Sequence, residues 1–342
     1  MEAQLEQETS TPRPQSRHCF RCTRRRFRIA LAVAILLLCA AVGYAVSLAL
    51  KGQPVHYSEE VAVRMAQLAG AAYCSPSSLK AWSCGSKCLT SVSMPKVCIG
   101  ATTQAFVAKF EGDGIISFEG TKSYMSMVQD LRIWKNLTDW HTGGKVHEGF
   151  LTEWESLRSC VMDALVTIGF PKGSGIRVTG HSLGGAVSVL AMVRRPHKDS
   201  VDARHISPAH RPHKLHSYKV DLDSGWHVRE AYTFGMPRAG DAIFARRFDR
   251  KFFQRFFRVT HHMDPVPHVP PEDFGYQHLA SEVFYDRNLG GGFRQCEEAE
   301  DEMCSAKYWD LPHDLFHIED HKDYMDQQTG SEGCEGRAWR VK

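Results

Sequence analysis

Six residues near the middle of the chain, Gly180 to Gly185 (GHSLGG), constrain its fold more than any other stretch. Ahead of them Ile176 to Gly180 (IRVTG) reads as a short buried strand, and behind them Ala186 to Val193 (AVSVLAMV) as an apolar helix. Ser182 therefore sits at a turn from strand to helix. Such a turn is too tight for side chains on both flanks, so Gly180 and Gly184 supply positions without a Cβ where the chain passes close to itself. In isolation a Gly-x-Ser-x-Gly string also fits a loop that only caps a helix. Between a strand and a helix it is a nucleophile elbow, which lifts the hydroxyl above the sheet beside the amides that open the helix. A reactive serine then needs a base, an acid partner and an oxyanion donor elsewhere.

Helical and strand periods alternate through the rest of the chain. Ser58 to Tyr73 reads as a capped amphipathic helix, with Ser58 before two glutamates and Val61, Met65, Leu68 and Ala72 along one face. Gln104 to Phe110 and Ile115 to Gly120 read as strands joined at Gly112-Asp113-Gly114. From Phe150 to Ile168 apolar residues including Trp154, Leu157, Val161 and Leu165 keep helical spacing. Beyond the elbow, Ala231 to Gly235, Phe256 to His261 and Glu282 to Tyr285 read as strands, with a helix around Asp241 to Phe252. The alternation predicts an α/β fold with a mostly parallel central sheet, and 342 residues at 43% hydrophobic content can bury a sizeable core. Arg194 to Trp226 breaks the pattern: five histidines (His197, His205, His210, His213, His216) lie scattered among prolines and charges. No rigid face there would bring two metal ligands together, so the stretch reads as a solvated surface insertion, and no metal or other cofactor is implied.

The N-terminal end has a different composition. Residues 1–28 are polar, carry seven arginines against three glutamates, and read as a disordered basic tail. Ile29 to Leu50 follows as 22 residues without a charge, long enough to span a bilayer as a helix. Arginines on its N-terminal side alone place that side in the cytosol and the rest across the membrane, so the organisation is a tail (1–28), a signal anchor (29–50) and one luminal or extracellular domain (51–342). A cleaved signal peptide ending near Ser47 or Ala49, and a secreted product, is the competing reading. The net charge of +3 is accounted for by the tail, which leaves no basic surface for nucleic acid. Cys19 and Cys22 fit a zinc half-site or palmitoylation beside a membrane, or two ordinary thiols. Eight further cysteines in a translocated chain suggest disulfides. Cys84 and Cys88 resemble a metal half-site that nothing nearby completes; Cys296 and Cys304, close together in a polar segment, form the clearest pair. Asn136-Leu137-Thr138 is a glycosylation sequon that fits luminal exposure. Oligomeric state is not legible.

In such a sheet, function collects at the carboxyl ends of strands. Asp264 follows FFRVTH directly, in HHMDPVPHVPP, where prolines fix a rigid turn; an ordinary turn aspartate is the plain alternative. It follows Ser182 in chain order, as an elbow hydrolase requires of its acid. The base must come later, and chain order alone leaves His268, His278, His313, His317 and His321 open. His261, His262, His268 and His278 also fit packing or hydrogen-bonding roles beside the site.

Taken together, FEGTKSYMSMVQDL, VHEGF, VTGHSLGGA, YTFGMPRAGD, HMDPVPHVPP and EDHKDY resemble, in order and spacing from about Ser58 to Tyr324, the class 3 lipase family that contains the fungal triacylglycerol lipases. The resemblance implies an α/β-hydrolase fold and a serine esterase acting on acylglycerols. It matches Ser182 to the nucleophile, Asp264 to the acid and His321, in an Asp-His-x-x-Tyr block, to the base. It also matches Thr121 and Leu183 to the oxyanion hole, and residues 122–129, with Tyr124, Met125, Met127 and Val128, to the lid. A phospholipase A1 or a diacylglycerol-selective lipase uses the same constellation, and a catalytically idle lipid-binding module is the rival of another class. The chain departs from the family at Glu119, where arginine is usual, at Lys322 and Met325 after the histidine, and in the histidine-rich insertion.

Overall fold

A computed structural model of the chain describes residues 31–33, 35, 38, 55–122, 136–140, 143–193, 225–287, 292–308, 317–330 and 334. The chain divides into two units, Met1–Gln53 and Pro54–Lys342. In the first, the expected anchor Ile29 to Leu50 lies almost wholly outside the described residues; those described within it, among them Leu31, Val33, Ile35 and Leu38, are helical and exposed. Among the described residues no helix is long and apolar enough to cross a membrane.

The second unit is built on α1 (Glu59–Ala71), α2 (Pro76–Ala81), β1 (Val92–Ile99), β2 (Gln104–Phe110), β3 (Asp113–Phe118), β4 (Leu137–Asp139), β5 (Lys145–His147) and α3 (Glu148–Thr167). There follow β6 (Gly175–His181), α4 (Leu183–Met192), β7 (His227–Phe234), β8 (Gly240–Asp241), α5 (Ala242–Phe252), β9 (Phe256–His261), β10 (Tyr276–Gln277), β11 (Glu282–Tyr285), β12 (Arg294–Gln295) and α6 (Ile318–Lys322). The main sheet runs β1-β2-β3-β6-β7-β9-β11-β12. Its five middle strands, β3 to β11, are parallel, and antiparallel pairings close both edges. The expected α/β architecture with a mostly parallel sheet is the observed one.

Period-two alternation sorts the strand residues between two cores. On β2, Ala105 and Val107 face one core and Phe106, Ala108 and Phe110 the other; on β9, Phe256 is divided in the same way from Phe257 and Val259. The first core is roofed by α3 and α4, the second by α1. Ser58 caps α1 through its Oγ, which accepts the Val61 amide, and small residues at Ala62, Ala66 and Ala69 let the helix lie close on the sheet. Two hydroxyls on that face stay satisfied under the helix: Ser117 donates to the Leu68 carbonyl at 2.9 Å and Thr179 to the Met65 carbonyl at 3.2 Å. In VHEGF, His147 caps α3, its Nδ1 accepting the Phe150 amide, and burial lowers the ring to about 4, which keeps it the neutral acceptor a cap needs. Behind it Phe150, Trp154, Leu157, Val161 and Leu165 are buried, each fully buried chain of this size contributing about 1.5–3 kcal/mol.

β1 has no counterpart in the sequence reading. It is an edge strand with half of its side chains exposed and a register shift between Ser93 and Lys96, around Pro95, so no alternation marks it. The second sheet, β10-β8-β5-β4, is made of pieces of two or three residues, too short for any period.

All eight cysteines of the described domain pair: Cys74–Cys334, Cys84–Cys88, Cys98–Cys160 and the expected Cys296–Cys304. Cys84 and Cys88 are thus a disulfide and no metal half-site. Cys98–Cys160 ties β1 to α3 across 62 residues. On chain-entropy grounds, replacing both by alanine should lower the unfolding free energy by about 4 kcal/mol in a denaturant titration, with an unchanged circular-dichroism spectrum before the transition.

Candidate active site

The turn after β6 has the geometry its glycines require. A Cβ on Gly180 would lie 2.3 Å from the Gly184 carbonyl oxygen, and one on Gly184 2.3 Å from that of Phe118. Ser182, between β6 and α4, takes φ 57° and ψ −130°, a conformation that costs a non-glycine residue about 1–3 kcal/mol. Two backbone bonds oppose that cost: the Ser182 amide donates to Phe234 at 2.8 Å, and its carbonyl accepts from Gly185 at 2.9 Å. α4 is buried on all sides from Gly184 to Met192, so the elbow cannot relax without exposing its core. Leu183 is the first residue of α4, where amides have no intrahelical partner, and its side chain packs on the core.

Asp264 and His321, far apart in sequence, meet at the end of β9. The His321 Nδ1 donates to Asp264 Oδ2 at 2.9 Å. The Tyr324 hydroxyl donates to the same oxygen, and the Val266 amide to Oδ1 at 2.8 Å. Burial alone would raise the Asp264 carboxyl; the His321 ring, the Tyr324 hydroxyl and the Val266 amide outweigh it and hold the group below its ordinary value. An ionised Asp264 fixes the proton on His321 Nδ1 and leaves Nε2 as the basic nitrogen. Gly235, at φ 57°, makes room for this pair. A Cβ there would lie 2.7 Å from both Asp264 Oδ2 and His321 Nδ1 and 2.8 Å from the Tyr324 hydroxyl.

His321 is anchored from behind. His321 lies on α6, where the His261 Nδ1 donates to the Asp320 carbonyl at 3.1 Å and Arg287 pairs with the Asp320 carboxylate. His181, the residue before Ser182, stacks on the His321 ring at 4.4 Å between centroids. Its Nε2 lies 2.7 Å from the His321 carbonyl and its Nδ1 2.7 Å from the Tyr73 hydroxyl. A carbonyl only accepts, so Nε2 carries the proton and Nδ1 accepts from Tyr73. Burial, then the His321 ring, push His181 far below the usual histidine value, so it stays neutral.

Thr121 is half-buried three residues beyond the end of β3. Gly120 before it packs directly on Ser182: a Cβ there would lie 3.0 Å from that of Ser182 and 2.1 Å from the Tyr73 hydroxyl oxygen. The structure thus gathers Ser182, Leu183, Gly120, Thr121, Asp264 and His321 around the ends of β3, β6, β7 and β9. Tyr124, Met125, Met127 and Val128 lie outside the described residues, as does the histidine-rich insertion up to Ser224; Trp226 at its end is buried, donating to the Phe170 carbonyl. Asn136 is exposed.

The other histidines have the packing and bonding roles the sequence allowed. His262 contacts Asp286 at 3.3 Å, and His268, its ring lowered to about 3 by burial and then Arg238, and His278 are buried and neutral. His317 is 3.8 Å from the Asp320 carboxylate, and His313 lies outside the described residues. Tyr324 and Gly235 were not singled out by sequence reasoning, although both sit in quoted blocks, EDHKDY and YTFGMPRAGD. Among the described residues, the group that gathers most like metal ligands is Cys296, Asp301 and Cys304, whose sulfurs are joined in a disulfide.

Residues 115–274 match the family model for lipase (class 3). The chain is 30% identical over 220 residues to a lipase of Rhizopus niveus, covering 63% of this chain and 48% of that protein. It is 30% identical over 173 residues to a secreted mono- and diacylglycerol lipase 1 of Fusarium solani, covering 50% and 44%. The chain thus spans about half the length of the curated relatives it matches. The solved structure of lipase II from Rhizopus niveus superposes with a TM-score of 0.58 at 27% identity, covering 80% of this chain and 96% of that one. With Ser182, Asp264 and His321 in the family's order on an α/β-hydrolase sheet, the chain is similar to the class 3, fungal lipase-like proteins.

Proposed function

We propose that this protein is a serine lipase that hydrolyses acylglycerol esters through an acyl-enzyme on Ser182. The observation that carries the reading is the ionised Asp264 held to His321, whose ring stacks on the residue preceding a serine in a strained elbow. Ser182 Oγ attacks the ester carbonyl while His321 Nε2 takes its proton, and Asp264 stabilises the imidazolium. The carbonyl oxygen, now negative, accepts from the Leu183 amide and from Thr121. Collapse expels the alcohol, protonated by His321; water, deprotonated by the same nitrogen, then releases the fatty acid and restores Ser182.

The names of the relatives support acylglycerols as substrates, and that of the Fusarium solani protein favours mono- and diacylglycerols. A panel of mono-, di- and triacylglycerol and phosphatidylcholine separates this reading from a phospholipase A1. Turnover of the preferred ester should fall by about 10⁴-fold or more in Ser182→Ala and His321→Ala and by about 10³–10⁴-fold in Asp264→Asn, with the fold retained. Undiminished turnover in Ser182→Ala would end the proposal. Thr121→Val should lower kcat by roughly 10²–10³-fold, about 3–4 kcal/mol, with little change in KM, because its hydroxyl is used only once the oxygen is negative.

The 22 uncharged residues from Ile29 to Leu50, with arginines on one side, support a tether holding a luminal or extracellular lipase near its substrate phase. Residues 122–129 are the proposed lid over the site. The secreted relative supports the same side of the membrane, and exposed Asn136 is its proposed glycan site. After alkaline extraction of membranes the full chain should stay in the pellet and carry one glycan that Asn136→Gln removes. A soluble product beginning near Leu50 would contradict the anchor.

A further inference from the structure

Glu119 follows the last residue of β3 on the way to Thr121, at a position where the lipase family that the chain resembles usually has arginine. Its side chain is 2% exposed. The Glu119 amide donates to the Gln104 carbonyl at 2.9 Å, and the Gln104 amide donates to Glu119 Oε2 at 3.2 Å, a reciprocal pair that locks β2 to the end of β3. Gln104 is itself fixed, its Nε2 donating to the carbonyls of Ala72 and Cys74 on either side of Tyr73. The other carboxylate oxygen, Oε1, has no aligned hydrogen bond among the described residues; Lys122 Nζ meets it at 3.2 Å as a charge contact from three residues on. The pair therefore closes across Gly120 and Thr121, and Gly120 is wedged between Tyr73 and Ser182.

We infer that Glu119 is a positioning residue for the oxyanion turn: its buried carboxylate, held to the Gln104 amide and to Lys122, sets Thr121 against Ser182, and does so only while ionised. The inference rests on the proposed lipase reading. Neutral Glu119 gives up the Lys122 charge contact that spans the turn and leaves Thr121 free to shift. The groups that face the carboxylate are Lys122, the Gln104 amide and, from the end of α1, the Tyr73 hydroxyl, which burial holds neutral. Burial pushes the Glu119 carboxyl up to about 7, against the pull of Lys122 and Gln104. Ionisation is then largely complete at pH 8.5 and largely lost at pH 5.5.

This placement has an energetic consequence that separates positioning from plain structural support. A carboxyl whose folded value lies above its unfolded one costs stability at high pH, and the cost vanishes as pH falls below the unfolded value. Glu119→Gln removes the buried charge, so at pH 8.5 its Tm should equal or exceed that of the wild type while its kcat is lower. A group that only propped up the fold would lower both together.

The test is the pH profile of kcat on a water-soluble short-chain ester, for the full chain, with Glu119→Gln and Lys122→Met beside Ser182→Ala. The wild-type to Glu119→Gln ratio of kcat should be about tenfold at pH 8.5 and fall towards one at pH 5.5, with similar KM. Lys122→Met should move the wild-type step to higher pH, since the cation that favours ionisation is gone. A ratio that is constant with pH, or equal to one throughout, would overturn the inference. If Glu119→Gln does not fold, an unmoved step in Lys122→Met overturns it instead. Activity surviving in Ser182→Ala would show that the lipase reading itself had failed, whatever the Glu119 profile.

Discussion

A 2.8 Å hydrogen bond from the Ser182 amide to the Phe234 carbonyl joins the end of β6 to the end of β7, and the site depends on that junction. It holds the serine in a backbone conformation that an isolated loop would leave, and brings the elbow beside Gly235, where the chain leaves β7. Gly235 in turn leaves the space that Asp264 and His321 occupy. The next strand, β9, delivers Asp264 three residues beyond its end, so Ser182 and Asp264 stand on a shared rigid edge, and only His321 arrives on a late segment. The strain at Ser182, about 1–3 kcal/mol, is small beside the burial of α4 that enforces it.

The late segment is held by a chain of polar contacts that reaches back to the first helix. Tyr73 donates to His181, His181 donates to the His321 carbonyl, and His321 donates to Asp264. Each link has one allowed direction, because a carbonyl and an ionised carboxylate accept and cannot donate. Burial keeps His181 and His268 neutral, so neither adds a positive charge beside Asp264. The same Tyr73 touches Gly120, so the turn that carries Thr121 and the helix that carries His321 rest on one buried hydroxyl.

Much of this was legible in the residues, for identifiable reasons. β2, β6 and β9 carry strong alternation or flank obvious turns, and α1 and α3 keep a long helical period, so their spans agree with the sequence within a few residues. Asp264 was legible because prolines fix its turn at a strand end. His321 was not: five histidines satisfied the chain order, and only the family resemblance chose among them. β1 hid behind a proline and an exposed edge, and the second sheet behind strands of two or three residues. Tyr324 and Gly235 were invisible as site residues because their roles arise from contacts made across 60 and 29 residues, which no local period encodes. The pairing of Cys74 with Cys334 is of the same kind.

The central claim is that Ser182 is a nucleophile activated by His321. Reaction of the full chain with a fluorophosphonate, followed by peptide mapping, measures this directly. One equivalent of label on the peptide holding Ser182, forming far more slowly in His321→Ala, is the predicted result. A folded chain that takes up no label, or takes it up equally fast without His321, would contradict the account.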